Sequence, residues 1–307
     1  MAGFIISCGP SPKALILSGD EKKLALDFAG ALVDYSAAIT AKPTLYQAWQ
    51  NRGECQMNLG FYDLAIKDFS QAIALKTDFN LSFYNIGLCY LKLKKYSEAL
   101  QYIEKACLAD TSIKGNIALA ECYFYAGKNN LAVKHFNLAL STMPDSIGLL
   151  LGRGLAYYQL GNGLACKGDL TNYVNKGGVN AVACRQLGLT YLRMADTLSA
   201  LDSSVVFLEQ YKAKVSVLDP EASKALLFAY LTRGKMLMRA DKEIEAMADF
   251  SKVIELDVAN AEAYFQRGKI MISLGQNIEG CLDLQNALKN GHVNAKKLIA
   301  LYCGDDL

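Results

Sequence analysis

Small residues recur along the chain at a nearly constant interval, and apolar residues follow them at helical spacing. Twelve residues after most of them lies a second small residue, such as Ala65, and four residues further a bulky apolar one, such as Phe69. Positions i, i+4 and i+7 share one face of a helix, so this pattern predicts paired helices. The steps are 34, 34, 33, 34, 34, 46 and 34 residues along the series Gly19, Gly53, Gly87, Ala120, Gly154, Gly188, Gly234 and Gly268.

A turn signal lies between the two small positions of several repeats. Examples are Leu59-Gly60 and Leu274-Gly275, where glycine is suited to end one helix before the next begins. Each interval therefore predicts a helix, a tight turn and a second, antiparallel helix. The small residues are expected to let the two helices approach closely, so that leucine at Gly154 would force them apart whereas alanine would be tolerated.

Residues 46–79 carry the pattern most fully and resemble the tetratricopeptide repeat family. The matching positions are Trp49, Gly53, Leu59-Gly60, Tyr62, Ala65, Phe69 and Ala72. The resemblance covers nearly the whole chain and implies an all-α fold, a right-handed superhelical α-solenoid of antiparallel helix pairs (an α-α superhelix). It also implies a concave wall formed by the first helix of each repeat, on which peptide segments bind.

The period divides the chain into a tail, an array and a closing segment. Residues 1–11 form the N-terminal tail, residues 12–294 form the solenoid, and residues 295–307 form a C-terminal capping helix and tail. About eight repeats are expected, with bounds at 12–45, 46–79, 80–112, 113–146, 147–180, 181–226, 227–260 and 261–294.

The sixth repeat, 181–226, is twelve residues longer than its neighbours. Apolar residues step by three or four from Leu198 to Leu218, which predicts a second helix longer by about two turns. The following helix is expected to start near Pro220 and to gain about one turn. Two interpretations remain open: a harmless extension, or a ledge that contacts a partner or a second copy.

Composition and charge narrow the class of protein. The chain is 52% hydrophobic and carries 32 Lys+Arg against 30 Asp+Glu, so its net charge of +2 gives no electrostatic reason to expect nucleic acid as a partner. No apolar run is long enough for a transmembrane span.

The nine cysteines include no CxxC pair, and Cys55, Cys89 and Cys122 occupy one position in successive repeats. They are therefore expected to be buried thiols rather than disulfides.

The resemblance predicts which residues line the concave wall. The centre is expected to be apolar and aromatic, with basic residues towards the C-terminal half, so an apolar segment with any acidic portion lying there would fit. The alternative is that these side chains pack on one another and bind nothing. The predicted partner-binding groove comprises Gln50, Glu54, Met57, Tyr84, Leu88, Leu91, Ile117, Glu121, Phe124, Leu151, Leu155, Tyr158, Arg185, Arg193, Lys235, Arg239, Phe265 and Lys269.

One known activity of the family is not expected here. Some members bind the C-terminal carboxylates of chaperones through a clamp of lysine and asparagine. Asn51 and Asn85 match two asparagine positions, but Gln50 and Tyr84 stand at the lysine positions. We therefore do not expect binding of chaperone tails.

No residue pattern predicts catalysis. His135 and His292 are the two histidines of the chain, and no HExxH, GxxxxGK[ST] or GxSxG motif occurs. Glu54 and Glu121 lie in different repeats, so they make no evident acid/base pair. The prediction is a protein that is not an enzyme, with no cofactor and no metal site, whose partner is an unidentified protein or peptide.

The N-terminal segment "FIISCG" resembles the cleavage box of a bacterial lipoprotein, in which Cys8 would receive lipid. A working signal needs a longer basic and apolar segment before the cysteine. Two localisations follow: a lipid-anchored envelope protein if a signal peptide lies upstream, and a cytoplasmic protein if Met1 is the true start.

The sequence leaves two functions open. The first is a scaffold that holds a partner segment in the concave groove. The second is a lipid-anchored structural component of a bacterial envelope assembly, acting through its convex face or its extended sixth repeat.

Overall fold

The fold is entirely α-helical over the residues that the structure, a computed structural model, describes: 10–77, 80–107, 112–178 and 180–304. Seventeen helices lie in this part of the chain, in eight consecutive pairs followed by α17, which confirms the predicted all-α repeat of helix pairs. The helices are α1 Pro12–Leu24, α2 Phe28–Ala41, α3 Tyr46–Asn58, α4 Tyr62–Leu75, α5 Asn80–Lys92, α6 Tyr96–Cys107, α7 Ile113–Tyr125, α8 Asn129–Thr142, α9 Ile147–Gln159, α10 Gly163–Asn175, α11 Ala181–Arg193, α12 Leu198–Lys212, α13 Pro220–Arg239, α14 Glu243–Leu256, α15 Ala261–Ser273, α16 Asn277–Lys289 and α17 Ala295–Tyr302.

Short turns reverse the chain within each pair, so the two helices of a pair run antiparallel. Gly60 (φ +83°) and Gly275 (φ +79°) take the left-handed conformation at the predicted turns. The Gly60 N–H donates to the carbonyl of Met57 at 3.1 Å and thereby helps to end α3. At the matching turns of other pairs Lys94 (φ 59°) and Asp241 (φ 56°) adopt the same conformation without glycine, which no sequence signal indicates.

The helices of a pair touch where the first contributes its glycine and the second its bulky apolar residue. A Cβ atom added to Gly53 would lie 2.8 Å from the ring of Phe69, and one added to Gly234 would lie 2.9 Å from the ring of Phe250. Both rings are fully buried. At Gly268 the helices come closer still, because an added Cβ would lie 2.8 Å from the carbonyl oxygen of Gly280. The glycines are therefore needed for space, as the repeat pattern predicts.

The helices form two compact units, residues 1–156 and 157–307, whose boundary falls inside α9. In unit 1 the fully buried large side chains include Tyr35, Phe69 and Ile103, each on the second helix of a pair. In unit 2 Leu208, Phe250 and Leu284 have the same role. A helix long and apolar enough to cross a membrane is not found in the described part of the chain.

The extra length after α11 is distributed differently from the prediction. The second helix, α12, has 15 residues, so the expected lengthening by about two turns is wrong. Instead α13 has 20 residues against the 13 of α15, and the predicted boundary between 226 and 227 lies inside it. Asp219 caps α13 and Pro220 is its first residue, which starts the helix early. Leu218 packs on the core from the linker before α13 and continues the apolar spacing without being helical.

The cysteines divide into two groups. Cys55, Cys89 and Cys122 are buried free thiols, as predicted, and burial raises the pKa of Cys89 and of Cys122 to about 12. The expectation of free thiols is wrong for Cys281 and Cys303, which form a disulfide between α16 and the residue after α17. They are 22 residues apart in sequence and meet only because α17 folds back on α16.

Candidate interaction surface

The first helices of successive pairs carry the residues predicted to bind a partner. We call these residues the first-helix face, and each unit contributes its own set. In unit 1 the set lies on α3, α5, α7 and α9: Gln50, Glu54, Met57, Tyr84, Leu88, Leu91, Ile117, Glu121, Phe124, Leu151 and Leu155. In unit 2 it lies on α9, α11, α13 and α15: Tyr158, Arg185, Arg193, Lys235, Arg239, Phe265 and Lys269.

Two polar residues of the unit 1 face bind neighbouring helices of the chain itself. Gln50 is 3% exposed, accepts a hydrogen bond from the hydroxyl of Ser82 on α5, and donates to Glu54 at 3.0 Å. Glu54 also pairs with Lys23 of α1 at 2.8 Å. These bonds tie α1, α3 and α5 together. Gln50 and Glu54 therefore act first as links between repeats, and this part of the face follows the alternative in which side chains bind one another.

The apolar residues of the unit 1 face remain half-buried. Tyr84, Leu88 and Leu91 on α5 and Ile117 and Phe124 on α7 are neither enclosed in the core nor fully exposed. Half-buried apolar side chains on adjacent helices offer area that a partner could cover with little reorganisation. These five residues are the part of the predicted groove with the clearest capacity to bind an apolar segment.

Glu121 provides a charge beside these apolar residues. Its side chain is exposed, yet desolvation by surrounding protein raises its pKa, and only the charge of Lys92 acts in the opposite direction. The negative charge of Glu121 in turn contributes to the raised pKa of Tyr84 and of Tyr125, for both of which burial is the larger cause. An accessible carboxylate beside apolar side chains can accept a hydrogen bond from a cation or an N–H donor of a partner.

The basic residues of the unit 2 face differ in how far they are already bound. Arg185 donates to both carboxylate oxygens of Asp219, at 2.8 and 3.0 Å, and to Glu221 at 2.7 Å. The Arg185 guanidinium holds the pKa of Asp219 well below its usual range. Lys235 pairs with Glu262 at 2.7 Å. Arg185 and Lys235 thus join consecutive first helices, α11 to α13 and α13 to α15.

Three other basic residues of unit 2 remain accessible. Arg193 lies over the ring of Tyr158 at 4.6 Å, its side chain is 58% exposed, and its distance to the Glu221 carboxylate is a loose 3.6 Å. Arg239 and Lys269 are exposed, and the Lys269 ammonium lies 5.6 Å from the ring centre of Phe265. Charges stacked on aromatic rings keep their hydrogen-bonding capacity towards a ligand. These three residues could therefore bind an acidic group.

A small cavity opens beside Arg193. Its volume is about 250 Å³, and its walls include Tyr158, Thr190, Leu164 and Met194. The Tyr158 hydroxyl is buried and has no hydrogen-bond partner in the described structure. The cavity is large enough for one side chain of a partner.

At α15 the face is held by a residue that the sequence analysis did not assign to it. The ring of His292, which lies between α16 and α17, stacks on Phe265 with centroids 3.8 Å apart and an interplanar angle of 16°. Its Nε2 lies 3.1 Å from Glu262, the partner of Lys235. Histidine position alone gives no sign of this contact, because it depends on how the chain turns after α16.

A second set of residues missed in the sequence ties the two helices of a pair together. The arginine before three of the repeated glycines binds both oxygens of an aspartate sixteen residues later: Arg52 with Asp68, Arg233 with Asp249, and Arg267 with Asp283. Each aspartate is at most 5% exposed. The aspartate directly before each bulky apolar residue was the available signal. It explains why arginine accompanies these glycines.

The structure does not bring the other candidate groups into a reactive arrangement. Glu54 is bound by Gln50 and Lys23, and Glu121 lies among Tyr84, Tyr125 and Lys92. Among the described residues, no group of three or more His, Cys, Asp or Glu could hold a metal ion. Cys8, the candidate lipidation site, lies outside the described residues.

Comparison with known proteins supports the repeat assignment. Two models described as "Tetratricopeptide repeat" match residues 46–79 and 81–108. None of the curated proteins compared with the sequence matches it. Together with the eight consecutive helix pairs of the described residues, these matches identify an α-helical repeat protein. Residues 46–79 and 81–108 are therefore identified as tetratricopeptide repeats within this array of helix pairs.

Solved structures share the fold at low sequence identity. PilW, described as a widely conserved type IV pilus biogenesis factor, is 19% identical with a TM-score of 0.53, over 70% of this chain and 98% of its own. PilF of Pseudomonas aeruginosa is 17% identical with a TM-score of 0.53, over 66% and 91%. YrrB, described as a TPR protein with an unusual peptide-binding site, is 18% identical with a TM-score of 0.51, over 55% and 88%. At this identity the likeness establishes the fold alone.

Proposed function

We propose that the protein is a non-enzymatic scaffold that holds a segment of a partner protein on its first-helix face. The observation that carries the proposal is the set of half-buried apolar side chains on α5 and α7, Tyr84, Leu88, Leu91, Ile117 and Phe124, beside the exposed carboxylate of Glu121. A segment with apolar side chains and a basic residue or free N–H groups would complement this part of the face. Peptide binding by YrrB, a protein of the same fold, agrees with this use.

In unit 2 the proposed ligand is acidic. Arg193, Arg239 and Lys269 are accessible cations on three successive first helices, whereas Arg185 and Lys235 are already paired. A carboxylate of the partner could replace the loose contact of Arg193 with Glu221. The cavity lined by Tyr158 and Met194 lies beside that guanidinium and could take the apolar part of the same side chain.

A displayed library of random peptides selected against the purified protein tests the proposal without knowledge of the partner. Selected peptides are expected to bind the wild type and to lose at least about tenfold in affinity to Tyr84→Ala combined with Phe124→Ala. Fluorescence anisotropy of a labelled peptide measures the change.

The matched control is Leu64→Ala combined with Leu138→Ala, which removes apolar side chains that are 49% and 47% exposed on the second helices α4 and α8. This control is expected to bind normally. Peptides that bind the Tyr84/Phe124 variant with normal affinity but bind the control variant weakly would place the binding site on the second helices. That result would refute the proposal.

The second candidate is a lipid-anchored structural component of an envelope assembly. The observation in its favour is the disulfide between Cys281 and Cys303, because disulfides persist in oxidising compartments outside the cytosol. The "FIISCG" segment agrees with the same location. Expression of the gene with its native upstream region and a radiolabelled fatty acid tests the idea. Label that depends on Cys8 supports it, and an unlabelled wild type contradicts it.

A further inference from the structure

The disulfide attaches α17 to α16, and α17 is unusually short for its position in the fold. At the other interfaces between pairs, such as α14 with α15, a first helix of at least 13 residues covers the second helix of the preceding pair. Phe250 and Val253 of α14 are buried in this way with Ala263 and Ile270 of α15.

On α16 the same positions are covered by α17. Leu284 and Ala287, 34 residues after Phe250 and Val253, cluster with Ala295, Leu298 and Ile299 of α17. The helix α17 thus takes the place of the first helix of a further pair, but it has eight residues. Isolated helices shorter than about 12–15 residues are marginal in water, so α17 depends on its contacts with α16 to stay folded.

The disulfide crosslink provides the additional attachment to α16 that the short helix α17 lacks. Cys281 lies on α16 and Cys303 directly follows α17, and both are at most 5% exposed. A crosslink limits the freedom of the detached chain and so favours the docked helix. In the reduced protein the apolar contacts of Ala295, Leu298 and Ile299 would remain without the covalent link.

The position of α17 is connected to the unit 2 first-helix face through His292. This residue lies three positions before the first residue of α17, stacks on Phe265 and contacts Glu262, which pairs with Lys235. His292 is held from both sides: its N–H donates to the Ala287 carbonyl of α16 at 2.8 Å, and its carbonyl accepts from the Ala295 N–H at the start of α17 at 3.0 Å. When α17 leaves α16, the segment that follows His292 is no longer fixed, and the contacts of the imidazole with Phe265 and Glu262 are expected to weaken.

We propose that the Cys281–Cys303 disulfide is a redox latch that keeps α17 on α16 and, through His292, sets the state of the first-helix face at α15. Reduction by a dithiol opens it: the dithiol transfers two electrons and two protons, the S–S bond breaks to give two thiols, and the dithiol becomes a disulfide. Because both sulfur atoms are buried, fraying of α17 precedes the attack. The regulatory consequence rests on the proposed function, whereas the latch itself does not.

Hydrogen exchange of the full chain, measured by mass spectrometry with and without dithiothreitol, tests the latch without a partner. In the oxidised wild type the amides of α17 are expected to be protected, and reduction should lower that protection by about tenfold or more. Amides of α15 near Phe265 should become less protected as well. Cys303→Ala should exchange fast at α17 in either condition and show no response to the reductant.

Two further variants separate the latch from general damage. Cys89→Ala removes a buried free thiol of unit 1 and should respond to dithiothreitol as the wild type does. His292→Ala keeps the disulfide, so reduction should still release α17 while the response at α15 disappears. Protection of α17 that is equal in oxidised and reduced wild type, or peptide mapping that finds Cys281 and Cys303 unpaired after refolding in a glutathione redox buffer, would overturn the proposal.

The outcomes also separate this inference from the proposed function. Failure of the peptide selection would remove the scaffold proposal and leave the exchange result intact. A normal selection with no redox response of α17 would remove the latch alone.

Discussion

At the scale of single residues, the repeated glycines are sites of steric contact rather than of flexibility. Around Gly53 the helix backbone is ordinary, and the absent Cβ is what allows the ring of Phe69 to approach. The sequence pattern predicts close packing but not how little room remains. It therefore led to the expectation that alanine would be tolerated at the equivalent Gly154, whereas the contacts at Gly53 leave no space even for a methyl group.

Gly53→Ala is expected to destabilise the protein although alanine is the better helix former. The added methyl group would lie 2.8 Å from a fully buried ring, and such overpacking costs about 1–3 kcal/mol, against about 1 kcal/mol gained from helix propensity. Urea denaturation followed by circular dichroism measures the difference. Gly168→Ala is the control, because Gly168 lies exposed inside α10 with nothing within 4 Å of an added Cβ, and alanine there should stabilise. A stable Gly53→Ala variant would contradict the packing explanation.

Glu121→Gln is expected to raise stability at neutral pH. Because desolvation raises the folded-state pKa of Glu121 above its ordinary value of 4.5, the charged form is disfavoured in the folded protein. The folded state therefore loses stability as the pH rises from about 4.5 through the raised pKa, and glutamine avoids this loss. The gain should be largest at pH 7 and should disappear near pH 4 in thermal unfolding experiments.

The control for Glu121 is Glu98→Gln, which removes an exposed carboxylate in the first turn of α6. No gain is expected there. A gain at Glu121 that does not change with pH would show that its charge is not the cause. A confirmed gain together with weaker peptide binding would indicate a carboxylate kept for binding at the expense of stability.

At the scale of elements, the extension of α13 shows how one cap decides where a helix begins. Asp219 accepts a hydrogen bond from the Ala222 N–H and from the Tyr211 hydroxyl, and it binds Arg185 through both oxygens. A single carboxylate thus caps α13 and fixes it against α11. Apolar spacing continues on both sides of this point, so periodicity alone places the extra turns in the wrong helix.

Asp219→Asn keeps a capping side chain and removes the charge. A loss of about 1–2 kcal/mol is expected at neutral pH, since hydrogen bonds to charged groups are stronger than neutral ones. The folded-state pKa of Asp219 is depressed, so this contribution is present above its ordinary pKa of 3.8 and is lost as the pH falls towards the folded value. The difference between wild type and variant should therefore be constant above about pH 5 and shrink in more acidic solutions.

Glu221→Gln is the comparison for the Asp219 variant, because Glu221 binds the same guanidinium but its side chain is 54% exposed. Its effect should stay below about 1 kcal/mol. Equal losses in the two variants would mean that Arg185 rather than the cap of α13 determines the energy.

At the scale of the whole molecule, the two units offer different chemistry on equivalent helices. The unit 1 face combines apolar side chains with Glu121, whereas the unit 2 face adds Arg193, Arg239 and Lys269. One helical framework can thus present an apolar surface in one part and a basic one in another, because the side chains of this face that hold no neighbouring helix, unlike Gln50 or Arg185, do not determine how the helices pack.

This difference predicts different responses to salt. Peptides that bind the unit 2 face should be rich in Asp and Glu, lose affinity about tenfold or more to Arg239→Glu combined with Lys269→Glu, and weaken as NaCl rises from 50 to 500 mM. The affinity of peptides that do not bind the Tyr84/Phe124 variant should depend less on salt, because apolar contacts accompany the single carboxylate of Glu121 in that part of the face. Isothermal titration at several salt concentrations distinguishes the two groups. Salt-independent binding at unit 2 would exclude the proposed role of its basic residues.

The fold was predictable because its determining contacts are short in sequence. A glycine and the ring it contacts are sixteen residues apart, as are the arginine and aspartate of each buried pair, so every repeat contains the information for its own helix pair. The candidate site was predictable only as a set of positions. Which members are free to bind depended on bonds between repeats, such as Gln50 with Ser82 and Lys235 with Glu262.

The sequence alone determined the helical repeat, the order of first and second helices and the face on which each residue lies. The reason is that residues that recur at helical spacing lie on the same side of a helix. Tertiary structure decided where α12 ends, the pairing of Cys281 with Cys303 and the stacking of His292 on Phe265. These features depend on the direction in which the chain leaves a helix, and that direction is set by caps and by packing against helices many residues away. A period in the sequence contains no record of it.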